Sequence, residues 1–173
     1  MATTIADEFI TQSVHRMSEN LPRILKCLRQ LSDEEVWARP NANSNSTGNL
    51  VLHLCGNITQ YIISSIGGKP DIRKRDEEFS ARGGFTRDQL SDMITTTVTE
   101  AINVITHMSH SELLKERSVQ GFSLTGTGVI LHVVEHLSYH TGQIAFWTKQ
   151  LKDSDLGFYK GIDLNKKNST GIF

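Results

Sequence analysis

The spacing of apolar residues constrains this chain more than any other feature. Ile5, Phe9, Val14, Met17, Leu21, Ile24, Leu25, Leu28 and Leu31 recur mostly at steps of three and four, the period of a helix with one buried face. This predicts a first helix from about Ala2 to Gln30, kinked near Pro22, which lacks a backbone N–H. Leu50, Val51, Leu54, Ile58, Tyr61 and Ile62 repeat the pattern between Ser46 and Ile66, where Gly67-Gly68 and then Pro70 stop it. A third helix is expected after the capping box Thr86-Arg-Asp-Gln89, carrying Leu90, Met93, Ile94, Val98, Ile102, Ile105 and Met108. A fourth starts near Thr125 or Thr127 and ends near Leu151, and strand-like alternation is nearly absent. The expected fold class is therefore all-α, a four-helix bundle over residues 1–151 followed by a polar tail, 152–173.

The connections carry their own signals. Ser32-Asp-Glu-Glu35 is a capping box that would turn Val36 and Trp37 onto the core, before a loop rich in Asn and Ser up to Ser46. Between Lys69 and Gly84, the basic run Arg73, Lys74, Arg75 is enclosed by Asp71, Asp76, Glu77 and Glu78, which suggests a solvated loop. Ser109 to Gly126 is expected to be a plain connection.

Several functional classes are disfavoured. Lys and Arg number 18 against 19 Asp and Glu, with signs mixed along the chain, so no nucleic-acid footprint is expected. No apolar stretch approaches the roughly 18–20 residues of a membrane span. Cys27 and Cys55 form no CxxC pair, and Met1 to Asp7 lack the pattern of a secretory signal, so a reduced, cytoplasmic protein is expected.

The chemistry lies in the histidines. Of His15, His53, His107, His110, His132, His136 and His140, the last three stand four apart on the fourth helix. Residues at i and i+4 share a helix face, so two imidazoles can reach one ion. Against the stripe of Ile130, Val133, Leu137, Ile144 and Leu151, His140 projects within roughly 45°, His136 within roughly 85° and His132 about 125° away. The inward pair is thus His136 and His140, with His132 flanking. His132 to His136 also reads HxxEH, a zinc-protease pattern with Glu135 as base, but Glu135 projects nearly opposite the stripe. A third ligand must come from another helix. His53 projects roughly 120° from the centre of its own stripe, so periodicity does not select it over His15, His107 or His110. Without such a ligand, the pair would be neutral core histidines bonded to a neighbouring helix.

The strings Gly48-Asn-Leu-Val-Leu-His53-Leu-Cys-Gly-Asn57 and Val134-Glu-His136-Leu-Ser-Tyr-His140-Thr-Gly-Gln-Ile144 resemble the DinB-like superfamily. They look most like the DinB-related bacterial proteins close to the YfiT-type metal proteins. The resemblance implies a four-helix bundle with a divalent metal held by one histidine of the second helix and two of the fourth, here His53, His136 and His140. It also implies homodimers and metal-dependent transfer of low-molecular-weight thiols to electrophiles. Three imidazoles leave a coordination position open, the catalytic pattern for zinc, and nickel or iron suit the same donors. Such an ion would lower the pKa of a bound thiol or water. A metal-dependent hydrolase and a non-catalytic metal-binding dimer are the alternatives. Asn57 and Gln143 are placed to support a ligand through hydrogen bonds. Cys55, two residues from His53, is expected to point away as a small buried hydrophobe.

Overall fold

The computed structural model describes residues 3–168. Ala2, where the first helix was expected to begin, and 169–173 of the tail lie outside them. Among the described residues there are five α-helices and one hairpin: α1 (Ile5–Gln30), α2 (Thr47–Ile58), α3 (Arg75–Ser80), α4 (Arg87–His107), β1 (Glu116–Val119), β2 (Phe122–Thr125) and α5 (Gly126–Lys152). A single π-helical stretch, Thr59–Ser64, prolongs α2. The four long helices form the expected bundle. α1 and α2 each pack on both α4 and α5, so α1 and α2 occupy opposite corners rather than neighbouring ones.

Caps fix where these helices begin. The side chains of Thr4, Ser46 and Thr86 accept hydrogen bonds from the backbone N–H of Asp7, Asn49 and Gln89, and each of those side chains returns the bond. Ser32 and Glu35 do the same around a short 3-10 turn that buries Val36. α1 runs unbroken through Pro22. Met17, Ile24, Leu54, Ile58, Ile94, Ile105, Ile130 and Leu137 fill the core, and Leu156 packs back onto it from beyond α5. No helix among the described residues is long and apolar enough to cross a membrane.

Two connections differ from expectation. Residues 116–125 form a two-stranded hairpin, with Val119 paired to Phe122 across a two-residue turn in which Gln120 and Gly121 both have positive φ, the geometry that matches strand twist. Its strands are only four residues long and mostly exposed, too short for alternation to register. In the charged segment read as a solvated loop, Arg75–Ser80 instead form α3, which packs on α2.

Asn49 holds that segment in place. Its Oδ1 accepts from the Ser46 backbone N–H and hydroxyl and from Arg39 Nη2, while Nδ2 donates to the carbonyls of Glu78 (2.8 Å) and Ala81 (2.9 Å). Asn49 is fully buried, so every one of its polar groups must be matched inside the protein. We expect Asn49→Ala to lower unfolding stability in urea by about 3 kcal/mol. Asn49→Asp, which turns both donors into an oxygen facing the carbonyls of Glu78 and Ala81, should lower it at least as much.

Candidate metal centre

His53, His136 and His140 meet inside the bundle between α2 and α5. Nε2 of His136 lies 3.1 Å from Nε2 of His53 and 3.1 Å from Nε2 of His140. Among the described residues this is the one group of three His, Cys, Asp or Glu whose donor atoms, all within 4.8 Å of one another, could surround a single ion. Donors arranged tetrahedrally at about 2.0–2.1 Å from an ion lie about 3.3–3.4 Å apart, and the two 3.1 Å spacings to His136 are close to that value. His53 and His140 are buried and His136 is half-buried.

The partners of the outer ring nitrogens decide which nitrogen faces inward. His53 Nδ1 lies 2.9 Å from Glu78 Oε2 and 3.1 Å from Arg73 Nη2; since Arg73 Nη2 already donates to the carboxylate, Nδ1 is assigned the proton and donates to the nearer Oε2, while His140 Nδ1 lies 2.7 Å from Gln143 Oε1. Both rings therefore turn an unprotonated Nε2 toward His136. His136 Nδ1 is buried and has no hydrogen-bond partner among the described residues. A proton on Nε2 of His136 would satisfy its neighbours incompletely, and a proton on Nδ1 would leave three lone pairs facing one another. A cation at the centre engages all three. Burial, followed by the neighbouring His140, His53 and His132, lowers the His136 pKa to about 3. Burial also lowers that of His140, against the hydrogen bond His140 donates to Gln143 Oε1. Neutral imidazoles are the form that binds metals.

Glu78 and Arg73 complete the arrangement, and neither was singled out from the sequence. Arg73 donates Nε to Glu78 Oε1 (2.7 Å) and Nη2 to Oε2 (2.9 Å), a two-pronged ion pair. The arginine side chain is only 3% exposed and the glutamate 9%. Burial pushes the Glu78 carboxyl up, but hydrogen bonds from Arg73 and His53 outweigh it and hold its pKa below the usual value. Arg73 Nη1 continues to Gln60, and Gln60 to Asp71. Charge pattern alone could not reveal this, because a self-neutralising buried pair and a solvated pair look alike in sequence.

Of the remaining candidates only His132 borders the trio, its ring stacked 5.4 Å from that of His136. Asn57 donates to His132 Nε2 at 3.2 Å rather than to the trio, and the His132 ring stacks on Tyr61. His110 pairs with Asp7, His15 lies beside Glu19, and His107 bonds the Asn103 carbonyl. Cys55 is buried and its thiol is pushed up to about 12 by burial, with Thr97 opposing and Glu78 adding to the shift. Glu135 is exposed. It lines, with His132, His136 and Tyr139, an opening of about 300 Å³ on the solvent side of the cluster.

A family model described as "Protein of unknown function (DUF1572)" matches residues 4–164. No curated protein matches the chain. Among solved structures, a DinB-like protein from Bacillus cereus ATCC 10987 superposes with a TM-score of 0.67 at 18% identity, covering 88% of this chain and 95% of that one. A DinB-like protein from Bacillus subtilis gives 0.66 at 17% identity, covering 86% and 96%. A conserved protein from Enterococcus faecalis gives 0.69 at 14%, covering 83% and 97%. At these identities the likeness concerns the fold.

The Glu78 contact carries a test that leaves the histidines untouched. A Cβ added at Gly56 would sit 2.0 Å from Glu78 Oε1, so Gly56→Ala must drive the carboxylate away. In metal-free protein, two-bond 1H–15N spectra should show His53 as the Nδ1–H tautomer, and Gly56→Ala should turn it into a tautomer mixture. An unchanged His53 pattern would remove Glu78 from its assigned role.

Proposed function

Since the chain belongs to the DUF1572 family, within the DinB-like group, we propose that it is a metal-dependent enzyme that transfers a low-molecular-weight thiol to an electrophilic substrate. The observation that carries this reading is the convergence of three Nε2 atoms from two helices on one point. In this reading His53, His136 and His140 hold a divalent ion, zinc first and nickel or iron as other fits to nitrogen donors. When bound, the ion lowers the pKa of a thiol and leaves a nucleophilic sulfur near neutral pH.

The chain's own residues supply the rest. Glu78 and Gln143 orient His53 and His140 through their outer nitrogens, the support that metal-binding imidazoles require. The opening framed by His132, Glu135 and Tyr139 admits a small thiol to the His136 side of the cluster. No cysteine takes part, since Cys55 is buried and held as the thiol. In the overall reaction the sulfur forms a bond to the electrophilic carbon, the leaving group departs and the thiol proton passes to solvent. The homodimer implied by the resemblance belongs to this reading, and sedimentation equilibrium would test it.

Elemental analysis of protein purified without chelator should find about one divalent ion per chain, falling below about a tenth of that in His53→Ala, His136→Ala and His140→Ala. With cysteine or glutathione and an activated aryl halide, metal-loaded wild type should outpace His140→Ala by about 100-fold or more. Equal rates for the two proteins would refute the metal-dependent reaction. Full metal content without turnover would leave a metal-binding protein of another kind.

A further inference from the structure

We propose that the cavity on the Gln143 side of the histidine cluster is a binding site for an uncharged aromatic small molecule. The cavity measures about 720 Å³, within the range of small-molecule sites. Tyr139, Phe146 and Trp147 of α5 form its apolar wall, and the amides of Asn43, Asn45 and Gln143 supply polar groups. None of its lining residues carries a charge. The other cavities differ. The one beside Phe158 carries Glu19, Arg23 and Lys26, the one beside Leu156 carries Lys149, Asp155 and Lys160, and the groove behind Glu78 carries Lys74 and Glu77.

This lining selects by charge. An ionic group entering the cavity would give up water without meeting a counter-ion. A neutral ring would lie against three aromatic faces while its amide, carbonyl or hydroxyl group bonded the asparagines. Two parts of the lining, Trp147 and the loop 41–44, are already tied down. The Trp147 indole N–H donates to the Ala38 carbonyl at 3.2 Å. Across from it, Asn41 Oδ1 ties the loop by accepting from Asn43 N (3.0 Å) and the Ser44 hydroxyl (2.9 Å). Preformed walls lower the cost of ordering a ligand. Tyr139 and Phe146 are 62% and 65% exposed, large apolar side chains held in water beside the opening, as expected where a ligand covers them.

The cavity reaches the histidines through two residues. Gln143 bonds His140 at 2.7 Å through Oε1, which leaves its NH2 group as a donor. The Tyr139 ring lies 5.0 Å from that of His140 and also lines the smaller opening next to His136. Tyr139 therefore stands between two spaces flanking one centre, the smaller with the Glu135 carboxylate at its rim and the larger without charge. The larger space is the seat of the electrophile. That role rests on the thiol-transfer reading, whereas the binding itself does not.

The test uses three probes of equal size and different charge, 1-naphthamide, 1-naphthoate and 1-naphthylmethylammonium, titrated into the full chain and followed by 1H–15N correlation spectra. The neutral amide should bind about tenfold tighter than either ion, shifting the signals of Asn45, Gln143 and Trp147. A Cβ at Gly142 meets no atom within 4 Å, so Gly142→Leu should fill the cavity and abolish binding, with an unchanged metal content and no loss of melting temperature. Asn45→Asp should turn the preference toward the ammonium probe. Equal binding of the three probes, binding that survives Gly142→Leu, no binding at millimolar probe, or a second copy of the chain occupying the cavity would each overturn the proposal. Probe binding without metal would overturn the proposed function and leave this site standing; metal without probe binding would do the reverse.

Discussion

A carboxylate enclosed by protein, Glu78, is the constraint on which the arrangement of the centre depends. It is gripped on one side by the Arg73 guanidinium and on the other by His53 Nδ1. Removing both charged groups from water is costly, and the cost is met only when each finds the other in good geometry. That requirement draws the segment 71–80 onto α2, closes the side of α2 that faces neither α4 nor α5, and fixes the His53 ring. The contact to Glu78 also needs Gly56, since any side chain there would occupy the place of the carboxylate. Asn49, one helical turn before His53, anchors the same segment by its backbone carbonyls. The orientation of the His53 imidazole thus rests on two other residues of α2, Asn49 and Gly56, and on two of the segment wrapped over it, Arg73 and Glu78.

Much of the fold was legible in the sequence. Apolar residues at steps of three and four marked the four long helices, and the capping box Thr86 to Gln89 marked the start of α4. The pair His136 and His140 was legible for the same reason, because α5 buries one stripe and exposes the other. His53 was not selected by periodicity. α2 is buried nearly all round, with ten of its twelve residues from Thr47 to Ile58 inside, so a projection from the apolar stripe could not identify its inward face. What covers the remaining side is α3, which its own charged composition concealed. The hairpin was missed on other grounds: its short strands bury only Val119.

The support around the trio is uneven, and the unevenness has a physical basis. His53 leans on an ion pair sealed from solvent, and His140 on a neutral amide at the edge of a cavity. His136, between them, has no partner for its outer nitrogen among the described residues and borders the opening to water. Two of the three rings are therefore held from behind and the third is held only by its helix and its neighbours. A site of this kind is supported toward the core and accessible at one side.

Helix α5 carries the trio's pair on one face and the aromatic wall of the neutral cavity on the next. His136 and His140 project toward α2, while Tyr139, Gly142 and Phe146 look outward over the loop before α2. Exchanges along that outer row alter what can lie beside the centre without disturbing the centre or the core under it. A lineage built on this scaffold can therefore diversify its ligands through single codon changes on one helical row, while the buried machinery behind it stays the same.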